Sequence, residues 1–177
     1  MKAKPLPPLE ELKEFLDYNP DTGIITWKKA RRGIRVGQVA GGSDLLGYFV
    51  ILFNYKQYKA HRLADFMYHG IDPLEKLVDH IDGDGTNNKI DNLRLATYSQ
   101  NGMNRVSLSR RNTSGCTGVY WHKTKKKWQA QIKLKKGLKF LGAFINKEDA
   151  IQARIEAEKK YFGEFRRDSQ IDCDFPK

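Results

Sequence analysis

Cysteine is nearly missing: Cys116 and Cys173 are the only two in 177 residues, and neither lies in a CxxC pair. Two thiols exclude a four-thiolate zinc site, and both are expected to be reduced in a cytosolic setting. Long apolar runs are also missing. None approaches the roughly 18 residues of a membrane span, and Met1-Lys2-Ala3-Lys4 leads into Pro5-Leu6-Pro7-Pro8 rather than a signal-peptide core. The expected location is therefore the cytoplasm. What is present suits a folded protein, with 40% hydrophobic residues, 30% charged residues and 11% aromatics.

The formal charge is +11, and it is unevenly spread. Residues 1–104 carry 14 Lys/Arg against 13 Asp/Glu, whereas residues 105–167 carry 17 against 5. Such a concentration reads as an electrostatic footprint for nucleic acid, because neutralised phosphates release counterions. Charge alone does not choose DNA over RNA, nor exclude a solvated basic face.

Leu9, Leu12, Phe15 and Leu16 have helical spacing, and Asn19-Pro20-Asp21-Thr22-Gly23 stops that helix. Short β runs follow at 24–27, 48–53 and 57–60, with a turn at Asn54-Tyr55-Lys56 and a helix from His61 to His69. The stretch 107–113 reads as a linker. Three strand-like runs, 118–121, 127–134 and 138–144, precede a helix capped by Asn146 and stopped by Gly163. The fold class expected is α+β.

The chemically dense stretch is Val78-Asp79-His80-Ile81-Asp82-Gly83-Asp84-Gly85, followed by Asn87-Asn88, Asp91-Asn92-Leu93-Arg94 and Asn101. Phosphodiester hydrolysis needs a base for water and a hard cation for the developing charge; imidazole and side-chain oxygens supply such groups. Taken singly, the Asx residues are ordinary turn-formers. An EF-hand would need an acidic first ligand where His80 stands, and a zinc hydrolase would need a second nearby His.

These residues resemble the HNH endonucleases, in the phage and intron-associated branch with Asn at the third motif position. The resemblance runs over roughly 20–104, including Asn19 to Trp27 and Ala60-His61-Arg62-Leu63. It implies a ββα-metal module holding one divalent cation, Mg2+ first and Mn2+ as alternative. By position, His80 is the general base, Asp79 and Asn101 are metal ligands, and Asn92 orients the base and braces its loop. His61 stays outside the set, since a histidine at a helix start can be purely structural. The implied products are a 5′-phosphate and a 3′-hydroxyl.

Residues 113–165 resemble the plant ethylene-response-factor (AP-two/ERF) type of DNA-binding domain, through Ser114 to Trp121, Lys127 to Ile132, Phe140 to Phe144 and Tyr161 to Phe165. The resemblance implies a three-stranded antiparallel sheet packed on one helix, with its open face in the major groove. Alternation puts Gln129, Gln131 and Lys133 on the DNA side and Trp128, Ala130 and Ile132 in the core. Tyr120, His122, Lys125, Lys127 and Lys139 are further DNA candidates. The plant pattern has arginines that are absent here, so its target sequence does not transfer.

The organisation expected is 1–60 as a β-rich segment, 61–106 as nuclease core, 107–113 as linker, 114–165 as DNA-binding domain and 166–177 as tail. Together these describe a homing-type or phage endonuclease acting on double-stranded DNA, with no membrane and no small-molecule cofactor. The rival is a non-catalytic DNA-binding regulator. Recognition site, strand count and oligomeric state stay open.

Overall fold

The computed structural model describes residues 4–104, Leu108 and residues 112–166. The chain divides into two compact units, 1–101 and 102–177.

The first unit opens with α1 (Leu9–Phe15), which passes directly into β1 (Leu16–Tyr18), paired antiparallel with β2 (Ile25–Trp27). The helix therefore stops at Phe15; Leu16, expected on its face, is instead a buried strand residue. A second antiparallel sheet runs β3 (Gly42–Ser43), β4 (Phe49–Phe53), β5 (Lys56–Lys59). The β4–β5 turn is two residues, Asn54 and Tyr55, both at positive φ, a type I′ geometry matching the strand twist; Lys56 already belongs to β5.

Helix α2 (Ala60–His69) ends at Gly70, whose left-handed backbone donates its N–H to Phe66. Leu12, Leu16, Ile51, Phe53 and Leu63 are completely or nearly completely buried together in this unit's core. Each such side chain contributes about 1.5–3 kcal/mol on burial. The unit closes with β6 (Leu77–His80) antiparallel to β7 (Leu93–Ala96) and the start of α3 (Tyr98–Met103), whose last two residues fall in the second unit. Thr97 and Gln100 start α3 reciprocally: the Gln100 N–H donates to the Thr97 hydroxyl, and the Thr97 N–H to the Gln100 side-chain oxygen.

The second unit is an antiparallel meander of β8 (Val119–His122), β9 (Lys127–Leu134) and β10 (Gly137–Phe144), covered on one face by α4 (Lys147–Phe162). Val119, Ala130 and Ile132 face Ala150, Ile151, Ala157 and Phe162 of the helix. Asn146 occupies the N-cap backbone position, but its side chain donates to Asp149 instead of accepting a backbone N–H. Cys116 is a buried thiol, and Cys173 lies outside the described residues, as does much of the expected linker and tail. Among the described residues no helix is long and apolar enough to cross a membrane.

Candidate functional site

Strand β6 delivers Asp79 and His80 side by side, both buried, at 6% and 4% exposure. Antiparallel register sets Asp79 opposite Arg94 and His80 opposite Leu93. The Arg94 guanidinium donates to Asp79 Oδ2 through Nε at 3.1 Å and Nη2 at 3.0 Å. A carboxylate removed from water needs such a charged partner.

Beyond His80 the chain makes a loop tied by its own side chains. Asp82 and Asp84 each accept the backbone N–H two residues on, so they are turn-formers in fact. Asn92 is the brace: its amide donates to Asp82 Oδ1 and to the Asn87 carbonyl, and its oxygen accepts the Asp82 N–H. Partial burial opposes ionisation of Asp82, yet the Asp84 N–H and the amides of Asn87 and Asn92 outweigh it and hold its carboxyl below the usual range.

The group that touches the His80 ring is Asn88, not Asn92. His80 Nε2 lies 3.0 Å from Asn88 Oδ1. The other end of that amide donates to the Thr86 carbonyl, which fixes the oxygen toward the histidine. Nε2 therefore carries the proton in the neutral ring, and the lone pair sits on Nδ1. Asn92, expected to orient the base and brace the loop, bonds to the loop, and the amide in contact with the ring is that of Asn88. The Asn87-Asn88 pair was visible in the sequence, but spacing alone did not separate the two jobs.

Asn88 is itself held from upstream. The Tyr18 hydroxyl donates to the Asn88 carbonyl at 2.8 Å, and burial, helped by Asp65, Tyr68 and Asp91, pushes that phenol up to about 12. The Asn19–Gly23 turn closes on the same loop, with Ile90 N–H donating to the Pro20 carbonyl. Gly23 has φ +74°, and a Cβ there would meet the Asn88 carbonyl carbon and Lys89 nitrogen at 2.5 Å. Both conformation and contact require glycine.

His61, from the start of α2, stands against His80 with Tyr48 beside both rings. Burial, with the nearby His80, Lys59 and Arg62, lowers the His61 pKa to about 3, so this ring is neutral. Its Nδ1 has no hydrogen-bond partner among the described residues.

Asn101 sits in α3, with its N–H on the Thr97 carbonyl. Among the described residues no hydrogen bond joins its side chain to Asp79, His80 or Asn92; Asp79 is bonded to Arg94 and His80 to Asn88.

In the second unit, register separates the DNA candidates. Tyr120 pairs with Gln129 and His122 with Lys127 across β8 and β9; Gln131 and Lys133 pair with Phe140 and Leu138 on β10. Paired residues share a face. Gln129 has the expected face but not the expected exposure: it is 5% exposed and accepts the Tyr120 hydroxyl. Lys139 lies on the other face. It pairs with buried Ile132 and donates to the Tyr161 hydroxyl on α4, which puts it on the helix side. His122 Nδ1 accepts the Lys125 N–H. Leu138 and Phe140, 67% and 58% exposed, were missed by the sequence reading; the Phe140/Gly142 bulge hides the alternation that would have found them.

Residues 58–103 match the family described as HNH endonuclease. The chain is 37% identical over 83 residues to Protein 3.8 of Escherichia phage T7, covering 45% of this chain and 68% of that one. It is 28% identical over 100 residues to YosQ, a candidate HNH homing endonuclease derived from the SPbeta prophage of Bacillus subtilis (strain 168), covering 56% and 57%. No solved structure matches the chain. With a family match over the elements that carry His61, Asp79, His80, Asn92 and Asn101, and two thirds of a relative covered at this identity, the chain belongs to the HNH endonuclease family and is a nuclease.

Proposed function

We propose that this nuclease cleaves double-stranded DNA with a divalent cation, using His80 as general base, and that its second unit grips the duplex. The observation that carries the reading is the His80–Asn88 hydrogen bond. With Nε2–H donated to Asn88, Nδ1 is the atom able to take a proton from water. Water attacks the phosphorus, its proton passes to Nδ1, and the P–O3′ bond breaks with the leaving 3′ oxygen taking a proton from solvent water, giving a 5′-phosphate and a 3′-hydroxyl. Asn88 holds the ring, and Asn92 holds the loop that presents it.

HNH nucleases are generally dependent on a divalent metal. By residue type Asp79 would offer a carboxylate and Asn101 an amide oxygen, donors that suit a hard ion. Such a sparse oxygen set, completed by water, suits Mg2+ or Mn2+. A cation held there would stabilise the charge that builds on the phosphate during attack. The β6–β7–α3 order supports the ββα-metal reading. For the second unit, the basic excess and the open sheet face, with Lys133, Gln131 and the exposed Phe140, support an AP-two/ERF-like grip on the major groove. A supercoiled-plasmid assay with Mg2+ or with EDTA tests the whole. The native chain should cut only with the metal and His80→Ala should not; binding without cutting under every divalent ion would make it a DNA-binding regulator.

A further inference from the structure

We infer that the hairpin 28–38 of the first unit is a second DNA contact, in which Arg32 and Arg35 bind backbone phosphates of the duplex; this rests on the DNA-cleaving reading above. Lys28, Lys29, Arg31, Arg32 and Arg35 place five cations in eight residues, with no acidic residue between Asp21 and Asp44. The first unit as a whole carries 14 Lys/Arg and 13 Asp/Glu. Without the hairpin it would be acidic, with nine cations facing thirteen carboxylates. A polyanion brought to the segment that holds Asp82, Asp84 and Asp91 is repelled unless cations on the same unit offset that field.

The hairpin is built rather than loose. At its base, Trp27 N–H donates to the Gln38 carbonyl and Gly37 N–H to the Trp27 carbonyl. Near its tip, Arg31 and Ile34 exchange both backbone hydrogen bonds around a two-residue Arg32-Gly33 turn, with Gly33 at φ +78°. Ile34 packs on the unit's core, and the Arg31 guanidinium lies over the rings of Phe15, Trp27 and Phe53. Lys28 donates to the Lys13 carbonyl, and Lys29 pairs with Glu14.

Three of the five cations thus fasten the hairpin. Arg32 and Arg35 are exposed, and among the described residues neither has an ion-pair partner. Two exposed guanidiniums on a hydrogen-bonded hairpin suit phosphates, which accept the planar fork bidentately. The hairpin leaves β2 at the end opposite the Asn19–Gly23 turn that touches the Asn88 loop. A three-residue strand is about 10 Å long, so phosphates within one turn of the cut site are in range.

The test is fluorescence-anisotropy binding of the full chain to a 30-base-pair duplex in EDTA, across a salt series. The variants are Arg32→Gln/Arg35→Gln and, as a charge-matched control, Lys56→Gln/Lys76→Gln. Two lost phosphate contacts should flatten the log Kd against log salt slope by about 1.8, alike on unrelated sequences. An unchanged slope overturns the inference, and so does an equal change in the control, which would mean bulk charge. Loss confined to duplex RNA overturns it as well. Plasmid cleavage by the native chain, run in parallel, judges the DNA-cleaving reading separately: failure to cut sinks that reading, while the slope still decides the hairpin.

Discussion

The imidazoles of His61 and His80 meet edge to face, with ring centroids 4.7 Å apart and planes at 81°. One belongs to α2 and the other to β6, so the helix upstream of the nuclease motif supplies a wall of the site. A neutral His61 lets the two rings share this space; a protonated one would put a charge into the core beside His80.

That neutrality predicts an acid weakness in the metal-free protein. Unfolded, the His61 ring takes up a proton near pH 6.5; folded, it resists until about 3. Its folded pKa is depressed, so the unfolded state binds more protons between those values and stability falls as pH drops. The slope approaches about 1.4 kcal/mol per pH unit below 6.5. Urea melts followed by circular dichroism at pH 7 and pH 5 should show the loss in the native chain and a smaller one in His61→Gln. Parallel pH dependence in the two would remove His61 as the cause.

Asn88 should matter to rate more than to binding. Asn88→Ala removes the acceptor of Nε2–H and lets the imidazole populate the tautomer with its proton on Nδ1. A fall in kcat of about 10- to 100-fold is expected, against about 10²- to 10⁴-fold for His80→Ala. Single-turnover cleavage measures both variants. An Asn88→Ala enzyme as fast as the native one would show that the hydrogen bond does not prepare the base.

Much of this site was legible in the sequence because Asp79-His80, the Gly-rich turn and Asn92 are local: a strand end and a hydrogen-bonded loop follow from residues within a dozen positions. The α2 and α4 helices and the strands of the second unit were legible for the same reason, through periodicity and turn chemistry. What could not be read was contact across the chain. Tyr18 and Gly23 meet Asn88 from some 65–70 positions away, and His61 meets His80 through packing of a helix on a strand. Spacing gave Asn92 both jobs because nothing in a linear motif says which amide reaches the ring. Which face Lys139 takes follows from its pairing with Ile132, a contact between strands that local spacing does not give.

Gly23→Ala should unfold the support of the site. The new methyl would sit 2.5 Å from two backbone atoms of the Asn88–Lys89 peptide, at a φ that alanine disfavours. Backbone cannot retreat as a flexible side chain can, so a loss of about 2–4 kcal/mol is expected, in the range of strain plus overpacking. Gly33→Ala is the comparison, since its added Cβ meets nothing within 4 Å and only the φ cost remains. Thermal melts of the two variants should rank Gly23→Ala well below Gly33→Ala. Equal melting temperatures would mean that the Asn19–Gly23 turn does not buttress the loop.

The second unit gives a prediction that depends on which side of the sheet a lysine occupies. Lys133 pairs with exposed Leu138 on the open face, whereas Lys139 pairs with Ile132 and is bonded to Tyr161 on the helix side. If the open face lies on DNA, Lys133→Ala should reduce the salt slope of binding by about 0.9, the share of one phosphate, and Lys139→Ala should leave it nearly unchanged. Phe140→Ala should behave differently again. An apolar ring beside Gln131 contacts base edges or methyl groups rather than phosphates, so its loss should weaken binding at moderate salt without altering the slope. Anisotropy titrations of the three variants at four salt concentrations distinguish these outcomes. A larger slope change for Lys139→Ala than for Lys133→Ala would place DNA on the α4 side and overturn the open-face reading.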